Sequence, residues 1–131
     1  MRLPPTLRCG EAEDLVRGGM EGFKGGGTTL SVGFRILDRV EPFVADRRTP
    51  LMKALAEAIE EVVGVPARFI RKTGTGDMNI FGSRVGVPVA TYGPGNSRLS
   101  HTNDEYVKVD EYLTSIRVYR RTLEKLLSGS V

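Results

Sequence analysis

The sequence predicts an α/β fold, with a parallel or mixed β-sheet that carries helices on its faces. From Thr49 onward, apolar patterns of the helix type and the strand type alternate along the chain. Residues 28–40 alternate as a half-buried strand does, and residues 87–92 form the short apolar run of a fully buried strand. A length of 131 residues allows one domain, or one domain and a smaller piece.

The first part of the chain is predicted to contain one helix and one strand. In residues 11–23, apolar side chains recur at steps of three and four, which predicts a helix. Its core positions are Ala12, Leu15, Val16, Met20 and Phe23. Three glycines at 25–27 end this helix, and residues 28–40 follow as the strand. Pro42 and the polar run at 46–48 mark a domain boundary.

The second part is predicted to begin with a helix that Thr49 caps and that Gly64 ends. Its apolar stripe is Leu51, Met52, Leu55, Ile59, Val62 and Val63. A short strand at 67–71, a short helix at 77–81, the strand at 87–92 and a long loop follow. Asp110 then caps a final helix. The predicted core face of that helix is Leu113, Ile116, Tyr119, Leu123 and Leu126 or Leu127.

Composition excludes several classes of function. The net charge of +3 and the pI of about 9.2 are only mildly basic, and no dense basic tract is present, which argues against nucleic-acid binding. Cys9 is the only cysteine, so the sequence has neither a disulfide framework nor a cysteine-based zinc site. No apolar run reaches the roughly 18 residues that span a membrane, and no secretory signal is recognisable. We therefore predict a cytoplasmic protein that does not interact with membranes.

Two glycine-rich loops follow predicted strands, which is where α/β proteins place ligands. Loop one is residues 71–79, RKTGTGDMN. Its small residues allow a ligand to approach the backbone, its amides can bind an anion, and Thr73 and Thr75 offer hydroxyl groups. The phosphate-binding pattern GxxxxGK is absent. Composition alone favours the simpler interpretation, an ordinary strand-to-helix turn that Asp77 caps.

Loop two is residues 92–107, YGPGNSRLSHTNDEYV, and contains His101, the only histidine. Imidazole is the commonest protein ligand for a metal, but a zinc site needs at least three protein ligands. Glu105 is a candidate to orient the imidazole ring, as ligating histidines usually require. The alternative is that both are ordinary surface residues, because a lone histidine is more often structural than a ligand.

These two motifs, KTGTGDMN and the loop-two sequence, resemble the C-terminal part of the dinuclear zinc amidohydrolases in their sequence, order and separation. That family includes acetylornithine deacetylase, succinyl-diaminopimelate desuccinylase, aminoacylase and glutamate carboxypeptidases. The chain is most similar to the branch that releases lysine or ornithine from an acyl group or a carrier protein in lysine and arginine biosynthesis. The resemblance implies that residues 1–46 are the second half of a two-layer α+β lid or dimerisation domain. Residues 47–131 would be the C-terminal part of a three-layer, mixed-sheet catalytic domain.

The resemblance also implies roles for single residues. His101 matches the family's C-terminal zinc ligand. Gly74 and Thr75 match a turn that contacts the substrate. Gly93 and Gly95 match a loop whose backbone approaches the substrate carboxylate.

Other positions depart from the family pattern. Asn79, at a substrate-binding position, stands where deacylases often carry an arginine for the substrate carboxylate, and Arg71 or Arg98 is a candidate replacement. Gly76 stands where serine is usual. The family's His-x-Asp motif, its Glu-Glu pair and one further carboxylate ligand are absent. The complete enzyme would use two zinc or cobalt ions, and we expect this chain to bind none or to bind them weakly.

We therefore expect a C-terminal portion of a metal-dependent amide hydrolase, inactive by itself and without a catalytic residue of its own. Its substrate would be acylated or carrier-linked lysine or ornithine. The alternative is a non-catalytic module that self-associates, or that complements a separate N-terminal polypeptide. Unpaired strand edges in the lid half would favour a homo-oligomer.

Overall fold

The computed structural model describes residues 1–72 and 74–129. This part of the chain contains four α-helices: α1 (Cys9–Gly25), α2 (Pro50–Val63), α3 (Asp77–Ile80) and α4 (Val109–Leu127). A π-helical turn, Phe81–Val85, continues directly from α3. No residue within 1–72 or 74–129 belongs to a β-strand.

The predicted α/β fold is therefore wrong, both for the three-layer catalytic part and for the α+β lid half. The three segments predicted as strands, 28–40, 67–71 and 87–92, have no ladder partner among the described residues. An alternating apolar pattern indicates that one face is buried, but it does not supply the neighbouring strand that backbone N–H and C=O groups need. The alternation is a local feature of the sequence, whereas a β-strand requires a neighbouring strand from elsewhere in the chain.

The described residues form two compact units, each made of two separate pieces of chain. The first unit comprises Met1–Val44 and Thr73–Val87, and the second comprises Ala45–Lys72 and Pro88–Val131. The predicted division into residues 1–46 and 47–131 stays a prediction.

In the second unit, α2 begins and ends as its sequence predicts. The Met52 N–H donates to Thr49 Oγ1 at 3.3 Å, and Pro50 occupies the first helical position, where a missing N–H costs nothing. Gly64 ends the helix with a φ of +80°, and its N–H donates to the Glu60 carbonyl at 2.9 Å. A left-handed terminal residue of this kind is easiest for glycine.

Helices α2 and α4 pack on each other and form the core of the second unit. Leu55 and Ala58 from α2 meet Val118 from α4, and Ala58 and Val118 are completely buried. Partly buried Ile59, Val62, Ala90 and Tyr92 surround this cluster. The predicted stripe of α2 is thus largely confirmed, although Val63 is 45% exposed.

The buried face of α4 differs from the prediction. Its buried residues are Ser115, Val118, Thr122 and Lys125. Leu113, Ile116 and Leu123 remain 52%, 47% and 59% exposed, although their spacing placed them on the core face. The helix also begins at Val109, with Lys108 rather than Asp110 at its N-cap.

Polar side chains can occupy the buried face of α4 because the helix itself satisfies them. Ser115 Oγ donates to the Tyr112 carbonyl at 2.7 Å, and Thr122 Oγ1 donates to the Val118 carbonyl at 2.8 Å. A buried hydroxyl that finds a hydrogen-bond acceptor avoids most of the cost of leaving water. Apolar periodicity has no means of detecting this satisfaction.

Lys125 joins α4 to α2 through ion pairs at the edge of the core. Its Nζ lies 2.8 Å from Glu57 Oε2 and 2.8 Å from Glu61 Oε1. Hydrogen bonds from Lys125 lower the pKa of Glu57, while those from Arg121 and then Lys125 lower the pKa of Glu61. The same bonds to Glu57 and Glu61 raise the pKa of Lys125. The three groups therefore stabilise one another in their charged forms.

In the first unit, residues 34–41 run antiparallel to α1. The Cys9 N–H donates to Glu41 Oε2 at 3.2 Å, and Arg39 pairs with Glu13 one turn further along the helix. The Arg17 guanidinium lies 5.5 Å from the centre of the Phe34 ring. The second half of segment 28–40 therefore lies along a helix instead of pairing in a sheet.

Helix α1 is longer than predicted, and its buried face is smaller. It starts at Cys9 rather than at residue 11, and Cys9 and Ala12 are its buried residues. Leu15 and Phe23, both predicted to be core positions, are 69% and 47% exposed. Burial, followed by the nearby Glu41 carboxylate, raises the pKa of the Cys9 thiol.

Within the described part of the chain, no helix is both long enough and apolar enough to cross a membrane. The predicted cytoplasmic location stays a prediction.

Candidate functional site

In loop one, the predicted substrate turn precedes a short helix that Asn79 organises. Gly74 and Thr75 are exposed, and Thr73 lies outside the described residues. The Gly76 N–H donates to Asn79 Oδ1 at 3.2 Å, and the Asn79 N–H donates back to the Gly76 carbonyl at 2.9 Å. Asn79 therefore performs the capping role that the sequence suggested for Asp77.

The other end of the Asn79 side chain holds loop one against a distant part of the first unit. Asn79 is 6% exposed, and its Nδ2 donates to the Glu41 carbonyl at 3.1 Å. The Glu41 carboxylate in turn accepts the Cys9 N–H at the start of α1. Glu41 thus connects α1 with the helix that follows the predicted substrate turn.

A second contact reinforces this connection. A Cβ added to Gly82 would overlap the Phe43 ring, so the aromatic ring rests on the glycine backbone. Ser83 Oγ donates to the Asn79 carbonyl at 2.6 Å in the π-helical turn. Only glycine at position 82 leaves room for the ring.

Loop two is held at its beginning by α4. The Tyr119 hydroxyl donates to the Tyr92 carbonyl, and the two rings meet edge to face with centres 5.6 Å apart. Burial raises the pKa of Tyr92. The Gly95 N–H donates to Glu111 Oε2 at 3.1 Å, and Gly95 has a φ of +92°. The predicted substrate loop is therefore tied to the first turn and the middle of a long helix.

Short turns lead from Gly95 to His101. The Leu99 N–H donates to the Asn96 carbonyl at 2.9 Å, and the Thr102 N–H donates to the Leu99 carbonyl at 3.1 Å. These two consecutive turns fix the backbone between Asn96 and Thr102 by hydrogen bonds.

His101 has a left-handed backbone and an exposed side chain. Its φ is +66°, which costs a residue with a Cβ about 1–2 kcal/mol. The His101 N–H donates to Glu105 Oε2 at 3.0 Å. Glu105 therefore contacts the backbone of His101, whereas the sequence suggested a contact with its ring.

The predicted site residues fall into two groups by unit. Gly74, Thr75 and Asn79 lie in the first unit, and Gly93, Gly95 and His101 lie in the second. Of the candidate carboxylate contacts, Arg71 and Arg98 are both exposed. The roles of all these residues stay predictions.

The described residues do not by themselves form the metal site that the resemblance implies. Among residues 1–72 and 74–129, no three His, Cys, Asp or Glu side chains lie close enough to hold a metal ion. His101 is one candidate ligand, and a zinc or cobalt site would need others.

Sequence reasoning missed three residues that shape the site: Glu41, Glu111 and Tyr119. Glu41 lies 38 residues from Asn79, Glu111 lies 16 residues from Gly95, and Tyr119 lies 27 residues from Tyr92. No local pattern links positions so far apart, so only the folded chain reveals these contacts.

Comparison with known proteins decides the family. The model of peptidase family M20/M25/M40 matches residues 5–125. The chain belongs to this family. The resemblance that the two loop motifs carry is therefore confirmed.

Similar members of the M20/M25/M40 family bear one functional name. A LysW-lysine/LysW-ornithine hydrolase of Saccharolobus islandicus (strain Y.N.15.51) is 37% identical over 98 residues, which is 75% of this chain and 28% of that protein. A candidate for the same activity from Thermococcus kodakarensis is 46% identical over 94 residues, or 72% of this chain and 27% of that protein. A candidate from Pyrococcus horikoshii is 42% identical over 94 residues, or 72% and 29%. The match thus spans less than a third of each relative.

Proposed function

We propose that this chain forms the C-terminal part of an M20-type amide hydrolase that releases lysine or ornithine from a carrier-protein conjugate. The observation that carries the proposal is the 46% identity to the Thermococcus kodakarensis relative over 94 residues. The relatives are named for a substrate in which lysine or ornithine is linked to LysW. An acylated lysine or ornithine is the second candidate substrate, because it contains the same kind of amide bond, whose hydrolysis releases the amino acid.

In this proposal, each loop contributes one kind of contact. Gly74 and Thr75 touch the substrate, and Asn79 supports their turn from the buried side. The backbone around Gly93 and Gly95 faces the substrate carboxylate. His101 is one ligand of a zinc or cobalt site, which needs further ligands to hold the ion.

A chimeric enzyme tests the proposal. The matched segment of the Saccharolobus islandicus relative is replaced by the corresponding segment of this chain, and lysine release from LysW-lysine is measured. We expect the chimera to retain activity, and His101→Ala to reduce it at least about a hundredfold, since loss of an outer-shell partner of a metal ligand already costs about 10–100-fold. Asn103→Ala, in the same exposed loop, is the matched control and should be near the parent.

Two results would contradict the proposal. One is a folded chimera that releases no lysine from LysW-lysine or from N-acetyl-lysine. The other is a His101→Ala chimera as active as the Asn103→Ala control. For the 131-residue chain alone with added zinc or cobalt, we expect no turnover.

A second candidate function is a self-associating or complementing module without catalysis. It is favoured by segment 28–40, which has no ladder partner among the described residues and leaves Leu30 67% and Leu37 81% exposed. Exposed apolar residues on an unpaired segment are available to another chain. Light scattering separates the candidates, since a strict monomer at high concentration would rule out self-association.

A further inference from the structure

We propose that Glu105 and Glu111 are positioning residues, whose carboxylates fix the backbone of His101 and Gly95. The inference rests on the proposed function, because that function makes His101 and Gly95 site residues. Each glutamate lies on the C-terminal side of the residue it holds, and each accepts that residue's backbone N–H.

The first contact stabilises a backbone conformation that His101 would not adopt readily by itself. His101 has a φ of +66°, in the left-handed region that glycine prefers. Glu105 Oε2 accepts its N–H at 3.0 Å, while the Glu105 N–H donates to the Thr102 carbonyl at 3.3 Å. Glu105 is therefore anchored by the same turn whose shape it maintains. The bond engages the backbone of His101 and does not involve its ring.

The second contact ties loop two to a rigid element. Glu111 lies in the first turn of α4, and its Oε2 accepts the Gly95 N–H at 3.1 Å. Lys108 Nζ lies 3.9 Å from the other oxygen of Glu111, at the limit of an ion pair. The orientation of Gly95 thus follows that of the helix.

The two ends of loop two also meet in space. A Cβ added to Gly95 would lie 3.7 Å from the Tyr106 carbonyl oxygen and 3.7 Å from Val107 Cγ2. The loop therefore closes on itself between Gly95 and Val107. A hydrogen bond to an ionised carboxylate is stronger than one between neutral groups, and Glu105 and Glu111 each form such a bond to a residue of this loop.

Amide hydrogen exchange of the complete 131-residue chain tests the proposal residue by residue. Glu105→Ala should accelerate exchange at the His101 amide about tenfold, the effect of losing one net hydrogen bond to a charged group. Glu111→Ala should do the same at the Gly95 amide. In both variants, the core amide of Val118 should be unchanged.

Conservative variants and neighbouring carboxylates provide the controls. Glu105→Gln and Glu111→Gln retain an acceptor oxygen and should restore most of the protection. Asp104→Ala and Asp110→Ala remove a carboxylate one position away and should change exchange at His101 and Gly95 less than about twofold. The Asp110 variant also matches the loss of negative charge in the first turn of α4.

The proposal is overturned by unchanged exchange at His101 in Glu105→Ala and at Gly95 in Glu111→Ala. It is also overturned if the aspartate controls accelerate exchange equally, or if the Val118 amide accelerates in parallel, because the glutamates would then only stabilise the fold. None of these measurements depends on catalysis. Failure of the hydrolase proposal would leave the exchange results intact, and failure here would leave the chimera result intact.

Discussion

Replacing Val118 and Leu123 separately by alanine distinguishes the packing of α4 in the structure from the packing that its apolar spacing predicts. Val118 is completely buried between α2 and α4, whereas Leu123 is 59% exposed. Periodicity placed Leu123 in the core and did not include Val118. In the packing that the structure shows, Val118→Ala loses more free energy of unfolding than Leu123→Ala. In the packing that the apolar spacing predicts, Leu123→Ala loses more.

The magnitudes follow from the buried hydrocarbon. Val118→Ala removes two buried methyl groups, worth about 1.6 kcal/mol by transfer, and the cavity left behind raises the loss to about 2–3 kcal/mol. Leu123→Ala removes three carbons, but with 59% of the residue exposed the loss is about 1 kcal/mol. At about 4 °C per kcal/mol, the midpoints should fall by about 8–12 °C and about 4 °C.

Tyrosine signals provide an assay that is specific to the second unit. The chain has no tryptophan, and its four tyrosines all belong to that unit. They are Tyr92, Tyr106, Tyr112 and Tyr119. Near-ultraviolet circular dichroism during urea or thermal unfolding therefore reports on the packing of α2 and α4. A Leu123→Ala variant that loses as much stability as Val118→Ala, or more, would refute the packing described for α4.

Three further predictions concern other contacts. The two glutamates paired with Lys125 have folded-state pKa values below their ordinary 4.5, so their stabilisation is complete above pH 4.5 and lost as pH falls through the lower folded values. The thermal midpoint should therefore fall in that acid range, and it should depend less on pH in Lys125→Met than in the parent. The same pH dependence in both proteins would contradict the pairing. Asn79→Asp turns a donor to the Glu41 carbonyl into a repelling acceptor and should cost about 1–3 kcal/mol by urea unfolding followed in the far ultraviolet. A loss of stability no larger than that of Asn103→Asp, an exposed control, would argue against the hydrogen bond from Asn79 to the Glu41 carbonyl. Cys9 is buried with a raised pKa, so alkylation at pH 8 should be at least about tenfold slower than in the unfolded chain, and equal rates would show that the thiol is accessible.

Local interactions in the sequence determined both ends of α2 and the motifs that carry the family. The Thr49 cap, the adjacent Pro50 and the left-handed Gly64 each act within one turn of chain, so α2 was predicted with both of its ends. The two loop motifs identified the M20/M25/M40 family, which the match over residues 5–125 confirms. Both kinds of information lie in residues that are neighbours in the sequence.

Only the tertiary structure decided which segments meet. Phe34 and Arg39, in the segment predicted as a strand, contact α1 instead of a second strand. In α4, Ser115 and Val118 are buried and Leu113 is exposed. The Asn79 side chain donates a hydrogen bond to the Glu41 carbonyl, and the Gly95 N–H donates one to the Glu111 carboxylate. The pairing of strands, the buried face of a helix and long-range hydrogen bonds all depend on which distant segment of the chain packs against the residues concerned. The periodicity of a segment specifies its own shape and apolar side, but not the partner that covers that side.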